Sequence, residues 1–126
     1  MFSHVMIGSN DLERSRAFYD KALGALGVRP AMENAGRLVY LSPGGGLFLV
    51  TKPIDGEPAT HANGGTIGFA ANSPEQADAW HAAGLAAGGT AIEDPPGVRE
   101  GSAGKLYLAY LRDPDGNKVC ALHRMS

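Results

Sequence analysis

Few side chains in this sequence are equipped for chemistry. Cys120 is the only cysteine, and the imidazoles are His4, His61, His81 and His123. A cysteine becomes a nucleophile when a base stands within hydrogen-bond reach, and His4 is the candidate base. Thiol and imidazole also bind metals, but a His4–Cys120 pair would need a third donor. His61 lies in a stretch rich in Pro, Gly and Asn. Alternation along a strand puts His123 on the face opposite Cys120, and His81 reads as a packing or rim residue. A buried cysteine commonly serves as a small apolar side chain. Asp113-Pro114-Asp115-Gly116-Asn117 carries two carboxylates but has the make-up of a turn: Pro presets φ, Gly accepts positive φ, and Asp and Asn bond local backbone. Gly44–Gly46 lacks the Gly-Lys-Ser/Thr of a phosphate loop and reads as a hairpin. Candidates for ligand contact are Arg37, Tyr40, Tyr107 and Tyr110 on strands and Arg99 on a loop. Regular alternation separates Tyr107 from Tyr110.

The elements that must position these groups occur twice. Residues 4–27 align without gaps on residues 66–89: Asn10 meets Asn72, Glu13 meets Glu75, Ala17 meets Ala79, Leu23 meets Leu85, and Phe18 meets Trp80. Leu38-Val39-Tyr40-Leu41 is echoed by Leu108-Ala109-Tyr110-Leu111. The first copy predicts a strand over His4–Gly8, then a helix capped by Asn10 or Asp11 and running to about Leu26. Leu12, Ser15, Phe18, Tyr19, Ala22, Leu23 and Leu26 form its apolar stripe, and Gly27 is its left-handed terminator. Extended segments follow at Val28–Glu33, Arg37–Leu41 and Leu47–Lys52. The second copy predicts a strand over Thr66–Ala70 and a helix with Ser73 as cap, Pro74 at the first position and Gln76 at the capping-box position. Ala77, Trp80, Gly84 and Leu85 form its buried face. Thr90–Glu93 is extended, Asp94–Gly104 is a loop, and Lys105–Arg112 with Lys118–Arg124 form a hairpin. The predicted order is strand, helix, strand, strand, strand, twice. Module one is 1–53, the linker 54–64 and module two 65–126, all within a single domain over 1–126.

Length and composition exclude several classes. At 126 residues the chain can bury a real core. A net charge of -2 with mixed signs gives no basic stripe, so nucleic acid is not an expected partner. No apolar run approaches the length of about 20 residues needed to span a bilayer, and no signal peptide is expected at the N-terminus. One cysteine excludes an internal disulfide and fits a reducing compartment, so the expected location is cytoplasmic.

The opening His4-Val5-Met6-Ile7, Asp11-Leu12-Glu13-Arg14-Ser15, Phe18-Tyr19-Asp20 and Leu23-Gly24, together with the closing Tyr110–Lys118, resembles the vicinal oxygen chelate superfamily. That group includes glyoxalase I, bleomycin resistance proteins and extradiol dioxygenases. The resemblance implies an α+β fold of two βαβββ modules forming an incomplete barrel around a cleft; the repeat itself predicts that the first strands of the modules lie close in space across a pseudo-twofold axis. It also implies a divalent metal held by His, Gln or Glu from the first and last strand of each module, acting as a Lewis acid on vicinal oxygens. Carried over residue by residue, His4 keeps its ligand position. Thr66 stands at the matching position of module two, Phe48 about where a Glu can stand, and Cys120 where the final Glu is expected. His4 is the only retained metal candidate, so no metal and no other cofactor is expected.

Two functions remain open. The first is a glyoxalase/bleomycin resistance-like protein that binds a small organic molecule in its cleft without a metal, with His4, Phe48, Thr66, Cys120, Tyr40 and Tyr107 as ligand-binding candidates. The alternative is a divalent-metal-dependent lyase or dioxygenase with unusual ligands. The resemblance also implies a homodimer, as do helix faces rich in Ala and Gly.

Overall fold

The computed structural model describes residues 1–102 and 104–125. The elements run β1 (His4–Gly8), α1 (Leu12–Gly24), β2 (Met32–Asn34), β3 (Arg37–Leu41), β4 (Leu47–Thr51), β5 (Ile67–Ala70), α2 (Pro74–Ala86), β6 (Thr90–Ala91), β7 (Gly97–Gly101), β8 (Gly104–Arg112) and β9 (Lys118–Arg124). Each module builds its own sheet. The first has the order β1-β4-β3-β2; the second has β5-β9-β8-β6, with β7 also pairing with β8. In each, the first strand lies parallel to the last, and the remaining pairs are antiparallel. Parallel pairing requires a crossover, which the helix supplies. The result is a mixed α+β fold with two modules and no closed barrel. No helix among the described residues is long and apolar enough to cross a membrane.

Both helices start as their caps dictate. The Asp11 side chain accepts from the Arg14 N–H, and the Ser73 hydroxyl accepts from Gln76 N–H at 3.1 Å. Asn10 is not the cap; its side chain instead bonds Ala59 of the linker through both amide groups. The Gln76 carboxamide accepts from the Asn72 N–H, one residue upstream of the reciprocal bond in an ideal capping box. Helix α1 ends at Gly24, short of the expected Leu26, and a further turn carries the chain to Gly27 at φ 86°.

Three other expectations are corrected. Strand β2 is confined to Met32–Asn34, because the chain from Val28 to Ala31 is spent on leaving the helix. Leu85 is 41 % exposed, beyond the edge of the buried α2 face formed by Ala77, Trp80 and Gly84. Gly97–Gly101, expected as loop, is strand β7. It folds back on the first half of the long β8, whose edge β6 leaves open, pairing Gly97 with Leu108 through to Gly101 with Gly104.

The core lies between the helices and the sheets. Phe18, Tyr19, Ala22 and Leu23 of α1 are buried with Leu38, Tyr40 and Val50, and Trp80 is buried with Leu111, Val119 and Ala121. The helices pack on each other where glycine permits it. A Cβ at Gly84 would overlap the Leu111 side chain, and one at Gly89 would stand 2.6 Å from the Phe18 ring. The Ala- and Gly-rich surface of α2 is thus used in part within the chain.

The β8–β9 turn locks module two onto module one. Asp113, 3 % exposed, accepts from the Tyr19 hydroxyl at 2.6 Å, from the Asn117 carboxamide, and from the backbone N–H groups of Asp115 and Asn117. The Asn117 amide also donates to the Gly8 carbonyl at 3.1 Å. Asp115 accepts from Asn10 N–H, the Arg14 guanidinium and the Ser15 hydroxyl. The run expected to be a local turn is one, and it is also the clasp between the modules.

Candidate functional site

Register decides which face each candidate occupies. In sheet one, His4 pairs with Leu47 and Val5 with Phe48. Successive side chains alternate, so Phe48 shares the helix-side face with Val5, Tyr40 and Val50, and His4 shares the other face with Met6, Leu47 and Leu49. In sheet two, Cys120 pairs with Gly68 and Tyr110, and Tyr107 pairs with His123. Tyr107 and Tyr110 therefore face opposite ways, as do His123 and Cys120.

A cavity of about 300 Å³ opens between the two modules. Its walls come from the end of α1 and the chain after it (Leu23, Leu26, Val28), from the β3–β4 hairpin, and from β5 (Ile67, Phe69). Strands β1 and β5 are edge strands of separate sheets and do not pair, yet Val5 and Ile67 border this same cavity. Because the cavity sits at the sheet edge, residues from both faces of sheet one reach it.

Three of the six ligand-binding candidates meet there: His4, Tyr40 and Phe48. His4 is exposed at the rim, its Nδ1 hydrogen-bonded to the Ser3 hydroxyl at 2.8 Å. Tyr40 is buried and donates its hydroxyl to Asp20 at 2.8 Å. Burial foremost, then that bond, pushes its pKa upward, so it is a wall rather than an acid. Phe48 sits in an aromatic cluster, 5.0 Å from the Tyr19 ring and 5.2 Å, edge to face, from Phe69.

The other three lie elsewhere. Thr66 borders a second cavity, with Met6, His61, Asn117 and Lys118. Cys120 is buried and free, borders neither cavity, and lies against Gly68, where a Cβ would stand 3.2 Å from its Sγ. Burial pushes its thiol up to about 11, the opposite of an activated nucleophile. Tyr107 points to α2 and donates to Asp78 at 2.7 Å. Arg99, expected on a loop, lies on β7, and its guanidinium donates to the Asp94 and Pro95 carbonyls of the chain before that strand. Lys118 lies over the Tyr110 ring at 5.0 Å and pairs with Glu93, which adopts a left-handed φ of 60°.

Leu26, Val28 and Phe69 belong to the cavity but are absent from the sequence-derived set. The signal for Phe69 is its departure from the repeat, since it stands where module one has Ile7. Leu26 and Val28 flank Gly27 in the turn after α1 and are partly buried against the core.

The metal expected of the resemblance does not fit these residues. Among the described residues, no three His, Cys, Asp or Glu side chains gather to hold one. The carried-over positions offer one imidazole, one hydroxyl, one phenyl ring and one buried thiol, and they do not share a cavity.

Comparison with known proteins agrees with the architecture. The family model described as Glyoxalase/Bleomycin resistance protein/Dioxygenase superfamily matches residues 1–121. No curated protein matches the chain. The chain is similar to the crystal structure of a glyoxalase/bleomycin resistance protein from Albidiferax ferrireducens T118, with 66 % identity, a TM-score of 0.96, and 98 % of this chain and 99 % of that one covered. It is also similar to a putative glyoxalase from Bacillus halodurans, with 25 % identity, a TM-score of 0.76, and 98 % and 96 % covered. A family enzyme from Burkholderia phytofirmans PsJN shares the fold at 20 % identity and a TM-score of 0.74, with 98 % of each chain covered. The chain belongs to the glyoxalase/bleomycin resistance protein/dioxygenase superfamily.

Proposed function

We propose that this protein binds a small, partly apolar organic molecule in the cavity bordered by His4, Tyr40 and Phe48, and that it does so without a metal. The cavity itself carries the reading. It has apolar and aromatic walls with a few polar groups at the rim, the usual make-up of a ligand site, and its size lies at the small end of the range for such sites. Removal of a ligand's apolar surface from water supplies the affinity, and His4 supplies a polar contact. The protein acts as a cytoplasmic homodimer, with neither nucleic acid nor membrane as partner. Support for the dimer comes from the outer face of sheet one, where Met6, Met32, Leu41 and Leu47 are 43, 60, 57 and 38 % exposed.

The test uses the neutral two-ring dye 6-propionyl-2-(dimethylamino)naphthalene, whose emission rises and shifts to the blue in apolar surroundings. It is titrated into the parent and into Ala70→Trp, which places an indole at an exposed position of the cavity wall. The parent binds saturably, and the variant, with an unchanged circular dichroism spectrum, binds at least about tenfold more weakly. Equal binding by both proteins, or none by the parent, refutes the reading. Metal analysis of protein purified without chelator tests the second half. Stoichiometric metal that is lost in His4→Ala refutes it.

A further inference from the structure

We infer that the occupant of this cavity is an uncharged, ring-containing molecule of one or two fused rings, and that the cavity rejects ions of either sign. The inference rests on the ligand-binding reading above and narrows it. Its basis is the character of the walls. Among the described residues that border the cavity, none is Asp, Glu, Lys or Arg. Its neighbours differ: one cavity is bordered by Asp55, the other by Lys118.

The polar groups that do reach the cavity are mostly committed. The Tyr40 hydroxyl is given to Asp20, whose same oxygen also accepts from the Ala31 N–H. One nitrogen of His4 is engaged by Ser3. The Ser42 hydroxyl accepts from the Gly44 N–H at 3.4 Å. The remaining side-chain capacity is at the rim, and beside it the open edges of β1 and β5 offer only uncharged backbone groups, which suit a neutral donor or acceptor such as a hydroxyl or carbonyl. An ion entering would lose hydration and meet no counter-charge, a cost that a neutral molecule of the same shape avoids.

The ring preference follows from the aromatic wall. Phe48 and Phe69 meet edge to face at 5.2 Å, and Phe48 lies 6.1 Å from Tyr40. A planar guest can extend this cluster with the same edge-to-face and offset geometries. A volume of about 300 Å³ admits a bicycle and excludes bulky conjugates.

Three isosteric probes test the inference: 2-naphthalenemethanol, 2-naphthoate and 2-naphthylmethylammonium, each competed against the dye at pH 8. The alcohol displaces the dye at least about tenfold more effectively than either ion, and Ala70→Trp abolishes its binding. Val28→Lys, which adds a cation at a half-buried wall position, raises the affinity for 2-naphthoate by about tenfold or more. If an ion binds the parent as tightly as the alcohol and Ala70→Trp blocks it, the cavity is a site but its neutrality is refuted. If the alcohol is preferred but indifferent to Ala70→Trp, it binds elsewhere and the inference falls. If neither the dye nor any probe binds the parent, the inference falls together with the reading beneath it. Should Ala70→Trp fail to fold, Val28→Trp on the wall formed after α1 takes its place in each comparison.

Discussion

Removing the Tyr19 hydroxyl isolates the most buried of the bonds that join the two modules. Tyr19 is fully buried on α1, and its hydroxyl donates to Asp113 at 2.6 Å, across 94 residues of sequence. A buried hydrogen bond to a charged partner contributes about 1.5–3 kcal/mol. Tyr19→Phe leaves the ring packing against Phe18 and Phe48 in place, and Asp113 keeps its three other donors. The expected loss is therefore about 2 kcal/mol, or a fall of about 8 °C in Tm for a chain of this length. Asp113→Ala does more, since it strands the Tyr19 hydroxyl and the turn N–H groups together; about 3–5 kcal/mol is expected. Urea unfolding of both single variants and of the double variant closes the cycle, and a coupling of about 1–2 kcal/mol should appear. A Tyr19→Phe loss below ~0.5 kcal/mol, or additive single losses, would refute the claim that this contact fastens the modules.

The same carboxyl makes the joint sensitive to pH. Burial lifts the Asp113 pKa, the four donated hydrogen bonds pull against that, and the net shift is upward. A group raised in the folded state contributes stability that is full below its unfolded pKa and is lost as pH rises through its folded pKa. Relative to Asp113→Asn, which does not titrate there, the parent is favoured most in acid. The advantage shrinks across a window opening at about pH 3.9 and closing at the higher folded value. A difference that grows with pH over that window would overturn this sign.

Other consequences are equally open to measurement. Cys120, with its thiol pushed up to about 11, should react with iodoacetamide at pH 8 at least about 100-fold more slowly in the native protein than in urea; equal rates would mean that the strand face is open. Its raised value also means that the stability it contributes holds below its unfolded pKa and is lost as pH climbs through about 11. Gly84→Ala gains about 1 kcal/mol of helix propensity but forces a methyl into Leu111 and Phe18, so a net loss of about 1–2 kcal/mol is expected in thermal or urea unfolding; a stabilised variant would show that α1 and α2 can separate freely. Light scattering should give the mass of two chains, and the mass of a single chain at micromolar concentration would count against the homodimer.

What the sequence determined alone is what local chemistry can encode. The repeat announced two like modules, and two sheets of like topology follow, β4 ending at Thr51 and β5 opening at Ile67. Ser73-Pro74 marked a real helix start and Gly27 a real left-handed turn shortly after α1, because caps and left-handed glycines satisfy backbone groups within a few residues of themselves. Alternation placed His123 opposite Cys120 and Tyr107 opposite Tyr110, since the two-residue period belongs to any strand. Tertiary structure decided the rest. Phe48 turns to the core and not to the face of His4, because β1 pairs His4 with Leu47 and Val5 with Phe48. Gly97–Gly101 becomes a strand because β8 offers an open edge, not because its own residues favour extension. The Asp113–Asn117 turn reaches Tyr19, Asn10 and Gly8, and the cavity assembles from Leu26, Val28, Tyr40 and Phe69. Those contacts join residues that the chain itself keeps far apart. Periodicity and capping are local; strand register and the meeting of two sheets are chosen by how much apolar surface the whole chain can bury at once.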